Sequence, residues 1–275
     1  MERSEKNARH HYDIGNDLYR RMLDEEMIYS CAYWKSAEDL DAAQMAKLDL
    51  ICRKLGLRPE MRVLDLGCGW GGFARYAAKR YGVHVTGISP AGAQIDEAIR
   101  RAGDLSVEFR QQDYREVRGS FDRIVSIGML EHVGPRNFGL FFSQCADLLK
   151  SDGLMLHQTI GSNESKKYVD LWFDRYIFPG GVVPSLEQIA GATQKDWVVE
   201  DIQNLGPDYD RTLLAWYSNI ESCWHELSNY DERFRRTWRY YLLSSAAAFR
   251  TRNLQLFQIV LRRGGQPSFR YDAAR

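Results

Sequence analysis

In this 275-residue chain, VLDLGCGWGG at residues 63–72 is the strongest local indication of the fold. Its first half is a short apolar run that ends in glycine, which is typical of a buried parallel strand. A helix is predicted directly after it, from about Trp70 to Tyr81. Gly67 and Gly69 allow a tight turn and let a ligand approach the backbone. Asp65 is placed to accept a hydrogen bond from a cationic amine, although a turn that binds no ligand is the alternative interpretation.

Strands and helices alternate on both sides of this turn. Such alternation predicts a parallel sheet covered by helices on both faces. We therefore expect an α/β, Rossmann-like fold with a seven-stranded, mostly parallel sheet. The predicted strands are 62–67, 83–88, 106–110, 121–127, 153–160 and 254–262, and the other predicted helices are 38–56, 91–102, 135–149, 210–228 and 231–250.

The regular pattern breaks after Gly161. Residues 162–185 are aromatic and irregular, and we interpret them as an insertion over the carboxyl-terminal edge of the sheet, above the active site. Residues 1–37 are expected to form an N-terminal cover segment. With 44% apolar residues, the chain can bury one large core. A single domain over residues 1–275 is thus predicted.

The composition excludes several classes of protein. The 37 basic and 37 acidic residues cancel, which argues against a disordered chain and against nucleic acid as a general partner. Five scattered cysteines without a CxxC pair indicate reduced thiols in a cytoplasmic protein, and no metal site is expected. No signal peptide is evident, and no apolar run approaches the roughly 20 residues that span a bilayer. Membrane contact is therefore expected to be peripheral.

The end of the second predicted strand bears on the type of ligand. A dinucleotide-binding fold uses an acidic residue at this point to hold the ribose. This chain instead has Gly87-Ile88-Ser89-Pro90 and then Gln94, with no carboxylate. The pattern departs from nicotinamide-binding proteins and also from ordinary methyltransferases.

Several segments resemble the cyclopropane-fatty-acid synthase family, and the related mycolic-acid cyclopropane synthases share some of them. They run in the family's order from about His11 to Arg263. The resemblance implies a class I methyltransferase fold with a helical and aromatic cover, and methyl transfer from S-adenosylmethionine to a cis double bond of a lipid acyl chain. The segments are HYDIGNDLYRRMLD, YSCAYW, VLDLGCGWGGFARYAAKRYGVHVTGIS, FDRIVSIGMLEHVG, IFPGG, GPDYDRTLLAWY and AFRTRNLQLFQIV.

The resemblance also implies which residues bind the cofactor. Glycines of the turn lie beside the methionine part and the ribose, a Ser and a Gln hold the ribose hydroxyls, and an Asp-Tyr pair lies at the adenine. For Tyr114, a core aromatic is the alternative. With Asp65 included, the predicted cofactor residues are Tyr29, Ser30, Asp65, Gly67, Gly69, Ser89, Gln94, Asp113, Tyr114 and Ile127, with Gly128 beside the last.

The chemistry of such a transfer sets further requirements. Addition of a methyl group to an alkene leaves a carbocation, which must lose a proton to close a ring, so the site must be dry, tolerate positive charge and hold a base. The resemblance implies that this base is a bound bicarbonate. The alternative interpretation of Glu131 is an ordinary carboxylate at the start of a helix. The alternative for Cys31 is a small buried hydrophobic residue. The residues implied to hold the bicarbonate are Cys31, Glu131, Gln158, Ile160 and Tyr209.

Gln158 departs from the family pattern, which has histidine at this position. His157 precedes it by one residue, and because neighbouring strand residues point to opposite faces, His157 is not expected to replace that histidine. Gln158 can donate an N–H to bicarbonate but cannot become cationic. Ser245 stands where the family often has cysteine.

The C-terminal third is locally basic and aromatic. We interpret this as a surface for anionic lipid headgroups, with a solvated helix face and ordinary core aromatics as the alternative. The expected location is the cytoplasm, at the inner face of the membrane, and a homodimer is compatible with the sequence. Other functions left open are methylation of carbon in another lipid or small molecule, and a weakly active lipid-binding homologue. The surface consists of Arg233, Arg235, Arg236, Arg239, Arg250, Arg252, Arg262 and Arg263, with Phe234, Trp238, Tyr240, Tyr241 and Phe249.

Overall fold

A computed structural model describes residues 15–168, 170–267 and 270–275. Its sheet has seven strands in the order β3-β2-β1-β4-β5-β7-β6. Neighbours from β3 to β5 pair in parallel, and β7 runs antiparallel to both β5 and β6. The predicted fold class is confirmed. The strands are β1 (Arg62–Leu66), β2 (His84–Ser89), β3 (Val107–Gln111), β4 (Phe121–Ile127), β5 (Leu149–Ser162), β6 (Trp197–Asn204) and β7 (Leu254–Arg263).

Helices cover both faces of the sheet. On one face α2 and α3 bury Leu48, Ile51 and Ala74 against β1, and on the other α6 buries Phe141 and Phe142. Among the described residues, no helix is both long and apolar enough to cross a bilayer. The helices are α1 (Asn16–Met22), α2 (Leu40–Lys54), α3 (Gly72–Tyr81), α4 (Gly92–Ala102), α5 (Leu130–Val133), α6 (Phe138–Leu148), α7 (Leu171–Tyr176), α8 (Leu186–Thr193), α9 (Gly206–Ser222) and α10 (Glu232–Arg250).

Strand β6 and helices α1, α5, α7 and α8 were not located by the sequence pattern, and α7 lies in the segment that was expected to be irregular. β6 is the edge strand, and its apolar residues Val198, Val199 and Ile202 are 45–49% exposed. A register shift between Val199 and Asp201 also interrupts its alternation. An edge strand without a buried face lacks the periodic signal of a core strand. The seventh strand that the fold class requires therefore had no predicted position.

The segments around the sheet's carboxyl-terminal edge contact one another. In the predicted insertion, the Val182 N–H donates to the carbonyl of Glu131 at 2.8 Å, and the Phe178 ring lies 5.7 Å from that of Tyr241. In the predicted N-terminal cover, Asn16 accepts a 3.1 Å hydrogen bond from the Trp70 indole. Residues 1–14 of that cover lie outside the described residues.

Candidate active site

A cavity of about 370 Å³ lies at the carboxyl ends of β1, β2 and β4. The strand order reverses between β1 and β4, and α/β sheets place their ligand sites at such switch points. We name it the edge cavity. It brings together all ten residues predicted to bind the cofactor, which are Tyr29, Ser30, Asp65, Gly67, Gly69, Ser89, Gln94, Asp113, Tyr114 and Ile127.

The floor of the edge cavity is the turn between β1 and α3, residues 67–72. Gly67 and Gly69 have φ values of +81° and +54°, a region that residues with a Cβ rarely adopt. The N–H groups of Gly67 and Cys68 donate to the Ile88 carbonyl, which ties the turn to β2. A Cβ built on Gly69 meets no atom within 4 Å. A side chain at position 69 would therefore extend into open space.

Phe109 of β3 packs beneath this turn. A Cβ on Gly71 would overlap its ring, and one on Gly87 would lie 2.8 Å from its Cδ1 and 3.0 Å from the Cys68 Cβ. Gly71 also has a φ of +79°, whereas Gly87 is not in that region. Gly87 thus has no side chain because Phe109 and Cys68 already fill the space.

Polar groups line the far wall of the edge cavity. The hydroxyl of Ser89 and the amide oxygen of Gln94 are 3.3 Å apart, and both residues are buried. Asp113 accepts two hydrogen bonds from the Arg115 guanidinium. Burial alone would raise the pKa of Asp113, but these bonds and the charge of Arg115 outweigh it and hold the pKa below its ordinary value. Tyr114 packs its ring 5.4 Å from Phe141, so it is part of the core as well as the wall.

Two buried titratable side chains, those of Asp65 and Lys47, also line the edge cavity. Asp65 is 2% exposed, and its Oδ2 has no hydrogen-bond partner among the described residues. Burial raises the pKa of Asp65 to about 7, against the opposing charge of Lys47. Lys47 donates from Nζ to the Ser30 hydroxyl at 2.9 Å. The sequence pattern did not single out Lys47, because a lysine in an amphipathic helix is normally solvated.

Glu131, at the first turn of α5, lies behind the edge cavity. Its Oε1 accepts the Ile160 N–H at 2.7 Å, while Oε2 is buried without a partner among the described residues. Burial raises the pKa of Glu131 to about 7, opposed by main-chain N–H groups that include that of Ile160. The carboxyl is thus held at one oxygen and left with unused acceptor capacity at the other.

The residues predicted to hold the anion come from four segments of the chain, since Gln158 and Ile160 share β5. The Cys31 thiol lies 3.8 Å from the Leu205 carbonyl, the Leu205 N–H donates to Leu256, and Leu256 pairs with Ile160 in the sheet. Burial raises the pKa of the Cys31 thiol well above its ordinary value, so the thiol stays neutral. Tyr209, in the first turn of α9, packs 4.5 Å from Phe249. We name Cys31, Glu131, Gln158, Ile160 and Tyr209 the Glu131 cluster.

Gln158 and His157 lie on opposite faces of β5. Gln158 is 1% exposed, and its Oε1 accepts from Gln258 Nε2 at 2.9 Å. His157 packs against Phe141 and Phe142 with ring centroids 6.0 and 5.5 Å away, and burial lowers its pKa to about 3. His157 is therefore a neutral core residue on the α6 side and does not replace a histidine at position 158.

The predicted basic and aromatic surface is corrected in two respects. Trp238, Tyr241 and Phe249 are buried, so these aromatics belong to the core. Arg235 and Arg250 form ion pairs with carboxylates of α9, at 3.0 and 2.9 Å. Among the predicted aromatics Tyr240 remains exposed, and its ring lies 4.5 Å from that of Trp172 in the insertion.

The comparisons with known proteins agree with one another. The model of the mycolic acid cyclopropane synthetase family matches residues 1–259. Cyclopropane-fatty-acyl-phospholipid synthase from Escherichia coli K12 is 50% identical over 264 residues, 96% of this chain and 69% of the relative. A probable fatty acid methyltransferase from Pseudomonas putida is 37% identical over 269 residues, 91% of this chain and 67% of the relative.

Solved structures extend the likeness to the fold. Mycolic acid cyclopropane synthase CmaA1 complexed with SAH and CTAB has a TM-score of 0.88 and 30% identity, covering 94% of this chain and 97% of that one. The cyclopropane synthase MmaA2 from Mycobacterium tuberculosis has a TM-score of 0.87 at the same identity and coverage. The chain therefore belongs to the mycolic acid cyclopropane synthetase family, as a homologue of cyclopropane-fatty-acyl-phospholipid synthases with the class I S-adenosylmethionine-dependent methyltransferase fold.

Proposed function

We propose that this protein transfers a one-carbon unit from S-adenosylmethionine to the cis double bond of phospholipid-bound unsaturated acyl chains and closes a cyclopropane ring. The observation that carries the proposal is the edge cavity beside the Glu131 cluster, whose Glu131 Oε2 is buried and unpaired among the described residues. The relatives named above support the substrate class, since one is a synthase acting on fatty acyl phospholipids by name.

S-adenosylmethionine fits the residues of the edge cavity. Asp65 has an unpaired buried oxygen suited to an ammonium group, and Gly69 leaves open space where a side chain would otherwise lie. Ser89 and Gln94 would hold the ribose hydroxyls, and Asp113, Tyr114 and Ile127 the adenine. When bound, the cofactor supplies an electrophilic methyl group on a sulfonium sulfur.

The Glu131 cluster would hold a bicarbonate as the general base. Glu131 would accept the bicarbonate O–H at Oε2, Tyr209 and Gln158 would donate to its oxygens, and the Cys31 backbone would complete the site. For Ile160 we propose a role through Glu131. Its N–H is already donated to Glu131 Oε1, so it orients the carboxylate.

The surrounding residues suit a cationic reaction. Once the acceptor carbon carries a methyl group, the neighbouring carbon is positive; a C–H of that methyl gives its proton to the base, and its electron pair forms the closing C–C bond. The rings of Tyr29 and Tyr209 lie 5.2 and 5.9 Å from Trp216, which supplies aromatic faces for the cation. Tyr209 and Trp216 are buried, which excludes from this side the water that would trap the cation.

Mass spectrometry of the lipid product tests the proposal. The protein is incubated with S-adenosylmethionine and vesicles of unsaturated phospholipid, with saturated phospholipid as the control. We expect each unsaturated chain to gain the mass of one methylene group and to lose its olefinic protons. Binding of the cofactor without modification of any lipid would refute the proposed substrate.

Methyl transfer without ring closure is a second candidate. Gln158, which cannot become cationic, occupies the position at which the sequence resemblance implies histidine, and the Pseudomonas putida relative is named a methyltransferase. A base held less firmly would let the cation lose its proton elsewhere and leave a methylated olefin. That product has the same added mass but keeps an olefinic signal, so proton NMR of the lipid separates the two candidates.

We further propose peripheral contact with a membrane through the insertion. Leu171 and Tyr168 are 85% and 76% exposed, Tyr240 is adjacent through Trp172, and Arg236 and Arg239 are exposed on α10. Exposed apolar and basic residues together suit an anionic lipid surface. Leu171→Asp should weaken sedimentation with anionic vesicles, whereas Val198→Asp, a similar change on the exposed edge strand, should not. Equal binding by both variants would rule this surface out.

A further inference from the structure

Lys47 is a buried cation at the wall of the edge cavity. It lies in the middle of α2, its side chain is 0% exposed, and it lines the cavity next to Ser30 and Asp65. One of its three N–H donors goes to the Ser30 hydroxyl at 2.9 Å. Two donors remain, since no other hydrogen bond of this ammonium group is found among the described residues.

No carboxylate of the described residues forms an ion pair with Lys47. Asp24 and Asp65 are near enough to act through their charge, but the two Asp24 oxygens accept the N–H groups of Ile28 and Glu26 at 2.9 and 3.0 Å. Asp65 keeps one oxygen unpaired. The cavity wall thus presents a cation and an anion, each with unused hydrogen-bonding capacity and not bonded to one another.

A structural role alone does not account for Lys47. A buried ammonium group is costly unless it is paired, and an apolar residue of similar volume at such a site is often neutral or stabilising. Lys54 lies two helical turns further along α2 and is equally buried. Unlike Lys47, it has a carboxylate partner, since its Nζ lies 3.4 Å from Asp201. Lys47 lacks such a protein partner among the described residues, which indicates that a ligand supplies it.

We propose that Lys47 binds the carboxylate of the methionine part of S-adenosylmethionine, while Asp65 receives its ammonium group. The inference rests on the proposed function and deepens it. An α-amino acid zwitterion carries both charges on one carbon, and it would satisfy the two buried groups at once. A ligand with a pyrophosphate would instead bring negative charge to Asp65, so we expect the site to select against dinucleotides.

The test combines a change in the protein with a change in the ligand. Calorimetry measures binding of S-adenosylmethionine and of decarboxylated S-adenosylmethionine, which keeps the ammonium group and lacks the carboxylate, to the wild type and to Lys47→Met. The wild type should prefer the intact cofactor by roughly tenfold to a hundredfold, since a hydrogen bond to a charged group has that effect on affinity. Lys47→Met should lose this preference, with unchanged affinity for the decarboxylated ligand.

Lys54→Met is the matched control, because it removes an equally buried lysine from the same helix outside the cavity. It should keep the wild-type preference. If Lys47→Met does not fold, Lys47→Gln gives the same comparison with a donor to Ser30 retained.

Two other outcomes would separate failure of the proposed function from failure of the role proposed for Lys47. If the wild type binds neither ligand, the proposed function fails. Should Lys47→Met weaken both ligands equally, or weaken neither, the wild type binds the cofactor but Lys47 does not contact its carboxylate.

Discussion

The edge cavity and the Glu131 cluster lie side by side at the same edge of the sheet, but they are built differently. The floor of the cavity is backbone that a short motif shapes, with Gly67 and Gly69 where a ligand approaches. The cluster is formed by side chains from segments up to about 180 residues apart, as in the contact of Ala32 with Thr212 beside it. The floor of the cavity is therefore set by local conformation, and the Glu131 cluster by long-range packing.

This difference predicts separable effects of mutation. Changes in the edge cavity should act on cofactor affinity, because they add or remove space. Changes in the Glu131 cluster should act on the rate of the chemical step, because its groups hold a base and not the cofactor.

Gly69→Leu should reduce cofactor affinity by at least about a hundredfold, because the new side chain would occupy the space the ligand needs. Calorimetry with S-adenosylhomocysteine measures the change. Gly56→Leu is the matched control: Gly56 has a similar φ of +57° and an equally open Cβ position, but it lies outside the cavity. If both variants lose the same affinity for S-adenosylhomocysteine, backbone strain and not lost space in the cavity explains the loss, which contradicts the prediction.

Glu131→Gln should lower the rate of lipid modification by roughly two to four orders of magnitude, the range for loss of general-base catalysis. Glutamine keeps an oxygen for the Ile160 N–H, so the fold and the cofactor affinity should change little. Single-turnover kinetics and calorimetry measure the two quantities. A wild-type rate would mean that Glu131 is a structural carboxylate at the start of α5.

The pH dependence of stability should also identify Glu131. Because burial raises its pKa from 4.5 to about 7, the stability it contributes is fully present below pH 4.5 and is lost as the pH rises through about 7. The free energy of unfolding should fall by up to about 3 kcal/mol over that window, and this part should be absent in Glu131→Gln. Burial also raises the pKa of Asp65, but Asp65 contributes equally to the wild type and to Glu131→Gln, so its contribution cancels in the comparison. Parallel urea-unfolding profiles for the two proteins would contradict the assignment.

Gln158→His should have the smallest effect, up to about tenfold, and only when bicarbonate is scarce. A cationic donor binds an anion more tightly than a neutral amide by about that factor. Gln258 now donates to Gln158 Oε1, and its own Oε1 has no partner among the described residues, so that oxygen can accept from a cationic histidine once the amide turns over. The rate as a function of bicarbonate concentration is the measurement, and superimposable curves would show that residue 158 does not contact the anion.

The same contrast explains what could be predicted from sequence. The glycine turn and the residues after β1, β2, β3 and β4 follow a local pattern, and the structure places them around one cavity. Strand β6 was missed because its exposed Val198 and Ile202 give no core periodicity. Lys47 was missed because burial of a charged helix position depends on what packs around it. The donation of the Ile160 N–H to Glu131 is likewise a property of the assembled fold.

The Phe109 ring lies against two glycines, Gly71 and Gly87, and this contact predicts how the three positions vary within the family. Gly71 is fixed by its positive φ, whatever the ring beside it does. Gly87 is limited only by its neighbours, since a Cβ there would press on Phe109 and Cys68. Positions 87 and 109 are therefore expected to covary among homologues: alanine at 87 should occur with a smaller residue at 109, and glycine with an aromatic one, while position 71 stays invariant in both groups.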